Sequence, residues 1–180
     1  MIIMSMEPLG GNLPAGGPVA VYAGGRTHVF AIDAGGNMMH WNSADGITWA
    51  GPAPLPFGGL PVSYPTAYAL GDGSVHVLAI GMGGTFSGGP LVHWRSPDGL
   101  IWLPPALDAS WPLAAGANGL AATSAGALQL DAFAVTTQGV VRYSWNSTGQ
   151  KVPAAPLPPE PNMPRSVPAA ISATPNVIDV

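Results

Sequence analysis

The sequence predicts an all-β fold, a β-propeller assembled from repeated four-stranded units. Three observations carry that expectation. The chain repeats itself with a period of about 50 residues. Each copy breaks into short apolar runs separated by glycine turns. Between the turns there is no stretch with a convincing helical period, and the 21 prolines recur too often for long helices.

The first two copies are the clearest. Residues 18–49 read PVAVYAGGRTHVFAIDAGGNMMHWNSADGITW, and residues 65–102 read PTAYALGDGSVHVLAIGMGGTFSGGPLVHWRSPDGLIW. Superposed, Pro18 falls on Pro65, His28 and Val29 on His76 and Val77, and Ala31 and Ile32 on Ala79 and Ile80. His40 and Trp41 then fall on His93 and Trp94, Ser43 on Ser96, Asp45 and Gly46 on Asp98 and Gly99, and Trp49 on Trp102. The second copy carries extra residues around Thr85 to Gly89, which lengthen one hairpin. A third copy, residues 119–150, matches Phe133 and Ala134 to Phe30 and Ala31 and Gly139 to Gly36. It sets Tyr143 in the place of His40, with Trp145 displaced by one residue. A fourth begins at VPAAISATPNVIDV, with Asp179 where Asp131 and His28 stand earlier. The repeats therefore run approximately 18–64, 65–117, 118–166 and 167–180 with 1–17, as one propeller over 1–180.

Within the first copy the strand-like runs are PVAVYA, THVFAID, NMMHWNS and ITWA, split by Gly24-Gly25, Gly35-Gly36 and Asp45-Gly46. Asp-Gly between apolar runs is a hairpin signal, because glycine accepts the positive φ of a tight turn. A twisted sheet that is apolar on both faces needs a neighbour on each side, which is the physical reason for repetition. Val21, Val29, Phe30 and Ile32 would fill the spaces between units, with proline-rich crossings at 53–65 and 155–168. About three and a half copies do not close a ring. The expectation is a homo-oligomer or a piece of a longer chain, unless residues 1–17 complete the fourth unit.

Composition excludes several function classes. A formal net charge of −4, with Lys151 the only lysine and four scattered arginines, leaves no cationic face for nucleic acid or for an anionic membrane. There is no cysteine for disulfides or thiolate chemistry. The start, MIIMSMEPLGG, has no basic n-region and is no recognisable signal peptide, although a secreted or cell-surface setting suits the reading below. The uncharged stretch Ala109–Leu130 is rich in Ala and Gly and holds Pro112 and Asn118, so membrane insertion is not expected. Four widely spaced histidines predict no metal site, and no cofactor is implied. Neither paired acids, a G-x-S-x-G elbow nor a phosphate-cradling loop occurs in a fitting context, so no catalytic residue is assigned.

The run PLGGNLPAGGPVAV, followed by THVFAIDAGGNMMHW and echoed in SVPAAISATPNVIDV, resembles the repeat of the PLL-type fucose-binding lectins, which are seven-bladed β-propellers. Two further segments, Ser43 to Trp49 and Ser96 to Trp102, look like shortened Asp-boxes of sialidase-type propellers. In that family the motif is structural: Ser43, Asp45, Gly46 and Trp49, and Ser96, Asp98, Gly99 and Trp102, would shape turns and pack a ring.

The residues with the chemistry to hold a sugar are His40, Trp41 and Asn42, His93, Trp94 and Arg95, and Tyr143 with Trp145. A sugar offers apolar C–H faces and a rim of hydroxyls, which aromatic plates and fixed donors complement. Strand alternation sends His40 and Trp41 to opposite faces, so one of each pair packs internally. The lectin resemblance implies pockets between units, with Trp41 and Trp94 stacking and His40 and His93 hydrogen bonding. His28 and His76 repeat as well, and suit the capping of strand ends. The leading reading is a non-catalytic carbohydrate-binding protein with several weak sites for a neutral sugar such as fucose or a methylated relative, its partners being glycans. The alternatives are a structural propeller that mediates protein contacts and, well behind, a sialidase-like glycosidase.

Overall fold

The computed structural model describes residue 9 and residues 17–56, 63–81, 89–108, 120–126, 128–136, 139–152, 171–174 and 177–179. Among these, every regular element is a strand and all pairing is antiparallel. The first sheet holds β1 (Val19–Ala23), β2 (Arg26–Ile32), β3 (Met38–Ser43) and β4 (Ala50–Pro54) in chain order. The second holds β5 (Thr66–Ala69), β6 (Val75–Ile80), β7 (Leu91–Ser96) and β8 (Ala106–Asp108). The third holds β9 (Leu120–Gly126), β10 (Gln129–Thr136), β11 (Gly139–Asn146) and β12 (Lys151–Val152). β13 (Ile171–Thr174) and β14 (Val177–Asp179) form a two-stranded pair.

The first strands stack side by side: β1 lies against β5, β5 against β9, and β9 against β13. Period-two alternation gives each sheet two apolar faces, and one face of each sheet packs on the opposite face of the next. Between the first and second sheets lie Phe30 and Met38 on one side and Val75, Val77, Val92 and Trp94 on the other. Between the second and third lie Leu78, Ile80 and Leu91, facing Leu130, Ala132, Ala134 and Trp145. β6 is buried along its whole length, as the middle sheet of such a stack must be.

Two expectations are corrected. The last strand of each of the first two sheets starts beyond the Trp of the turn, at Ala50, the final residue of ITWA, and at Ala106. The reason lies in the turn, where Asp45 Oδ1 accepts from the backbone of Ile47 (2.8 Å) and Thr48 (2.7 Å). Those donors are thus kept from a strand ladder. The second correction concerns the third copy. Phe133 pairs with Arg142 as Phe30 pairs with His40, so Arg142 takes the histidine position and Tyr143 takes that of Trp41.

The insertion from Thr85 to Gly88, the proline-rich crossing 155–168 and nearly all of residues 1–17 lie outside the described residues. In the uncharged stretch 109–130, residues 120–126 are strand β9 and Gln129 and Leu130 open β10. No helix among the described residues is long and apolar enough to cross a membrane.

Candidate functional site

All the expected site residues but Trp41 gather at the two seams between sheets, mostly in buried positions; Trp41 lies on the face of the first sheet turned away from the second. Trp41 and Trp94 are 1% and 0% exposed. Each satisfies its indole N–H on a backbone carbonyl, Leu9 at 2.9 Å and Pro56 at 3.2 Å. Neither ring offers a face to solvent, because each stands on the inward side of a strand covered by the chain. His40 and His93 point to the opposite side, as alternation requires, and are buried too.

At the first seam His40 Nε2 lies 3.0 Å from His28 Nδ1, and the rings stack. Phe30 stacks on the other side of His40, with centroids 4.9 Å apart. From the second sheet, Trp102 sets its ring edge-on to both Phe30 and His40. At the second seam His93 Nε2 lies 2.9 Å from His76 Nδ1, and Trp145 of the third sheet packs on His93 at 5.3 Å. Trp102 and Trp145 thus do the same work from different places in their own sheets. This accounts for the displaced tryptophan of the third copy: an indole is needed against the histidine, and Trp145 supplies it from β11.

In the third sheet the corresponding pair is ionic. Arg142 donates from Nε to Asp131 Oδ1 at 3.0 Å and from Nη2 to Oδ2 at 3.1 Å. Ser144 also donates to the fully buried Asp131. Such a bidentate arrangement suits a buried carboxylate that has lost its water.

Burial and neighbours shift the histidines alike. Burial, with His28 beside it, pushes His40 down to about 4. Burial and then the Arg95 charge lower His76 to about 4. His93, shut in most completely and faced by His76 and Arg95, falls to about 3. His28 is lowered mainly by burial, against the pull of its bond to Ala23. At neutral pH the histidines are uncharged and hydrogen bonded.

The solvent side of each seam is polar. Arg26 donates to Asn42 Oδ1 at 2.7 Å at the first seam. At the second, Arg95 donates to the carbonyl of Ser147 in the third sheet at 2.7 Å. Tyr143 is half-buried beneath Lys151, whose ammonium lies 5.3 Å from the ring centroid.

The Asp-box-like turns hold themselves together. Ser43 Oγ donates to Asp45 Oδ1 (2.9 Å) and accepts from Gly46 N (2.8 Å). Ser96 repeats the first bond to Asp98 at 3.1 Å, and Asp98 caps Leu100 and Ile101. Trp49 is half-buried. Trp102 carries a feature that its place in a turn motif did not announce. Its Nε1 is the only buried side-chain polar atom among the described residues without a hydrogen-bond partner. Among these residues no three histidines or carboxylates converge as a metal would require.

No protein-family model matches the chain, and no curated protein matches it in sequence. Solved structures do match in fold, and they are lectin β-propellers. The BP39L lectin from Burkholderia pseudomallei superposes with a TM-score of 0.60 at 23% identity, over 75% of this chain and 38% of that one. The Aleuria aurantia lectin, solved with α-methyl-L-fucoside, gives 0.59 at 18% identity over 87% and 50%. The SapL1 lectin, solved with α-methyl fucoside, gives 0.56 at 18% identity over 86% and 52%. The chain spans between 38% and 52% of the length of these three. At these identities the similarity is one of fold, and the stacked antiparallel sheets are propeller-like.

Proposed function

We propose that this chain is a carbohydrate-binding, lectin-like protein that holds neutral sugars such as fucose or a methylated relative at the mouths of its inter-sheet seams. The observation that carries the reading is the unpartnered indole N–H of Trp102, a half-buried aromatic at the first seam. A buried donor left unpaired costs free energy, and a ligand hydroxyl would offset that cost. Asn42 with Arg26, and Arg95 with Tyr143, supply the polar rim and a second aromatic surface. His40, His93, Trp94 and Trp145 form the wall behind and hold the seams in shape. The fold shared with fucoside-bound lectins supports the ligand class. Binding involves no bond making, and several weak sites on one assembly would act together through avidity. Because the chain spans about half the length of those lectins, we also propose that the ring is completed by a second copy or by further repeats. Light scattering on the purified chain tests that part.

A glycan array probed with the wild type, Trp102→Phe, Asn42→Ala and Arg95→Ala tests the binding itself. Trp102→Phe keeps an aromatic plate and removes the N–H. Binding to a defined neutral sugar, weakened about five-fold or more in that variant, is the expected result. A folded wild type that binds no glycan at any density would end the reading.

A further inference from the structure

The two histidine pairs are hydrogen-bond chains whose proton positions are set by their ends. The carbonyl of Ala23 can only accept, so His28 Nε2 donates to it across 3.3 Å. His28 Nδ1 is then a lone pair, and it accepts from His40 Nε2. In the second pair Ser74 Oγ gives its hydrogen to Asp72 Oδ1 at 2.6 Å. Ser74 Oγ therefore accepts from His76 Nε2 at 3.2 Å, and His76 Nδ1 accepts from His93 Nε2. Every contact in both chains is matched while the rings are neutral. One added proton puts a positive charge between two apolar sheets. A second sets N–H against N–H, with no acceptor left between the rings.

Groups on every side bear on this chemistry. The first pair is faced by Arg26 on β2, by Asp98 in the turn after β7, and by Trp102. The second is faced by Asp72 and Ser74 before β6, Arg95 on β7, and Trp145 on β11. Asp98 and Asp72 favour a proton, while Arg26 and Arg95 oppose it. Burial opposes it most, and lowers all four rings. At both seams an indole from the next sheet packs on the second histidine. The third sheet has the Asp131–Arg142 ion pair at this register and no histidine.

We propose that the two histidine seams are an acid-operated release: protons entering the His28–His40 and His76–His93 pairs part each sheet from the next and free the sugar held at the seam mouth. The sugar clause rests on the carbohydrate reading above; the opening of the seams does not.

The test uses the whole chain, free of sugar, with tryptophan emission, far-ultraviolet circular dichroism and histidine-ring NMR followed from about pH 7.5 to about pH 3.5. Emission should change cooperatively as the rings take up protons below about pH 5, while the β-sheet signal persists. A variant carrying His28→Asp, His40→Arg, His76→Asp and His93→Arg places the third sheet's own pair at both seams, and should lose the transition. Rings that titrate near their ordinary value without a change in emission would overturn the proposal, as would a transition that survives in the variant. If the variant does not fold, the wild type decides alone, because ring protonation and the emission change must share a midpoint. Affinity for α-methyl fucoside, measured at about pH 7.5 and pH 4.5, should fall about ten-fold in the wild type. Absence of binding already at pH 7.5 would count against the carbohydrate reading and leave the acid opening judged by the sugar-free titration.

Discussion

At the scale of single residues, the two equivalent turn glycines make a sharp comparison. Gly46 and Gly99 have nearly the same positive φ, +73° and +75°. A Cβ on Gly46 would meet nothing within 4 Å, whereas one on Gly99 would lie 2.5 Å from His28 Cε1. Gly46→Ala therefore carries only left-handed backbone strain, about 1 kcal/mol. Gly99→Ala adds a collision with a buried ring that is locked in a hydrogen-bond chain, and should cost about 2–4 kcal/mol in denaturant unfolding. Equal losses at the two sites would mean that the second sheet's turn does not press on His28 as the structure has it. The Asp131–Arg142 pair makes a second test. Arg142→Met leaves a fully buried carboxylate without its cationic partner, and should destabilise by about 3–5 kcal/mol. Joining it with Asp131→Leu should recover much of that loss, because the stranded charge goes too.

At the scale of elements, the strand pattern was legible because turn chemistry is local. Gly24-Gly25, Asp45-Gly46 and Asp98-Gly99 mark their turns in any context. What a residue faces is a tertiary matter, and here the sequence misleads. His40-Trp41 and His93-Trp94 stand out as aromatic–polar dipeptides suited to a sugar, yet all four rings are buried. Repetition was compatible with a site or with a core, since equivalent strands bury equivalent side chains. In the third copy residue types hide the equivalence, because Arg142 replaces a histidine through a different kind of bond and Trp145 reaches its target from a new position. Only the strand register separates substitution from displacement. The burial of Trp94 predicts that Trp94→Ala acts on stability first. Loss of that ring from between the first two sheets should cost about 3–5 kcal/mol in thermal or denaturant unfolding. A change under about 1 kcal/mol would mean that the ring is not packed between those sheets.

At the scale of the whole molecule, the chain is a stack in which each sheet is buried by the next, so a seam cannot be perturbed without consequence for its neighbours. The middle sheet takes part in both histidine seams: His76 and His93 belong to it, and Asp98 and Trp102 reach from it to His28 and His40. This arrangement fixes the sign of the pH dependence of folding. An unfolded histidine titrates near 6.5, whereas in the folded chain His76 and His40 lie at about 4 and His93 at about 3. Below about pH 6.5 the unfolded chain therefore binds more protons than the folded one, and stability falls as the pH falls. The loss continues until the folded values are reached, and above about pH 7 these rings contribute no slope. Each fully buried ring can contribute at most about 1.4 kcal/mol per pH unit, and coupling within each pair reduces the total. Urea unfolding at a series of pH values should thus give a plateau near neutrality and a drop of about 2–4 kcal/mol by pH 4.5. His93→Gln retains an amide hydrogen bonder and removes the titrating ring, and should flatten the part of that drop which belongs to the second seam. An unchanged pH profile in a folded His93→Gln would show that the His93 ring does not contribute to the acid sensitivity of folding.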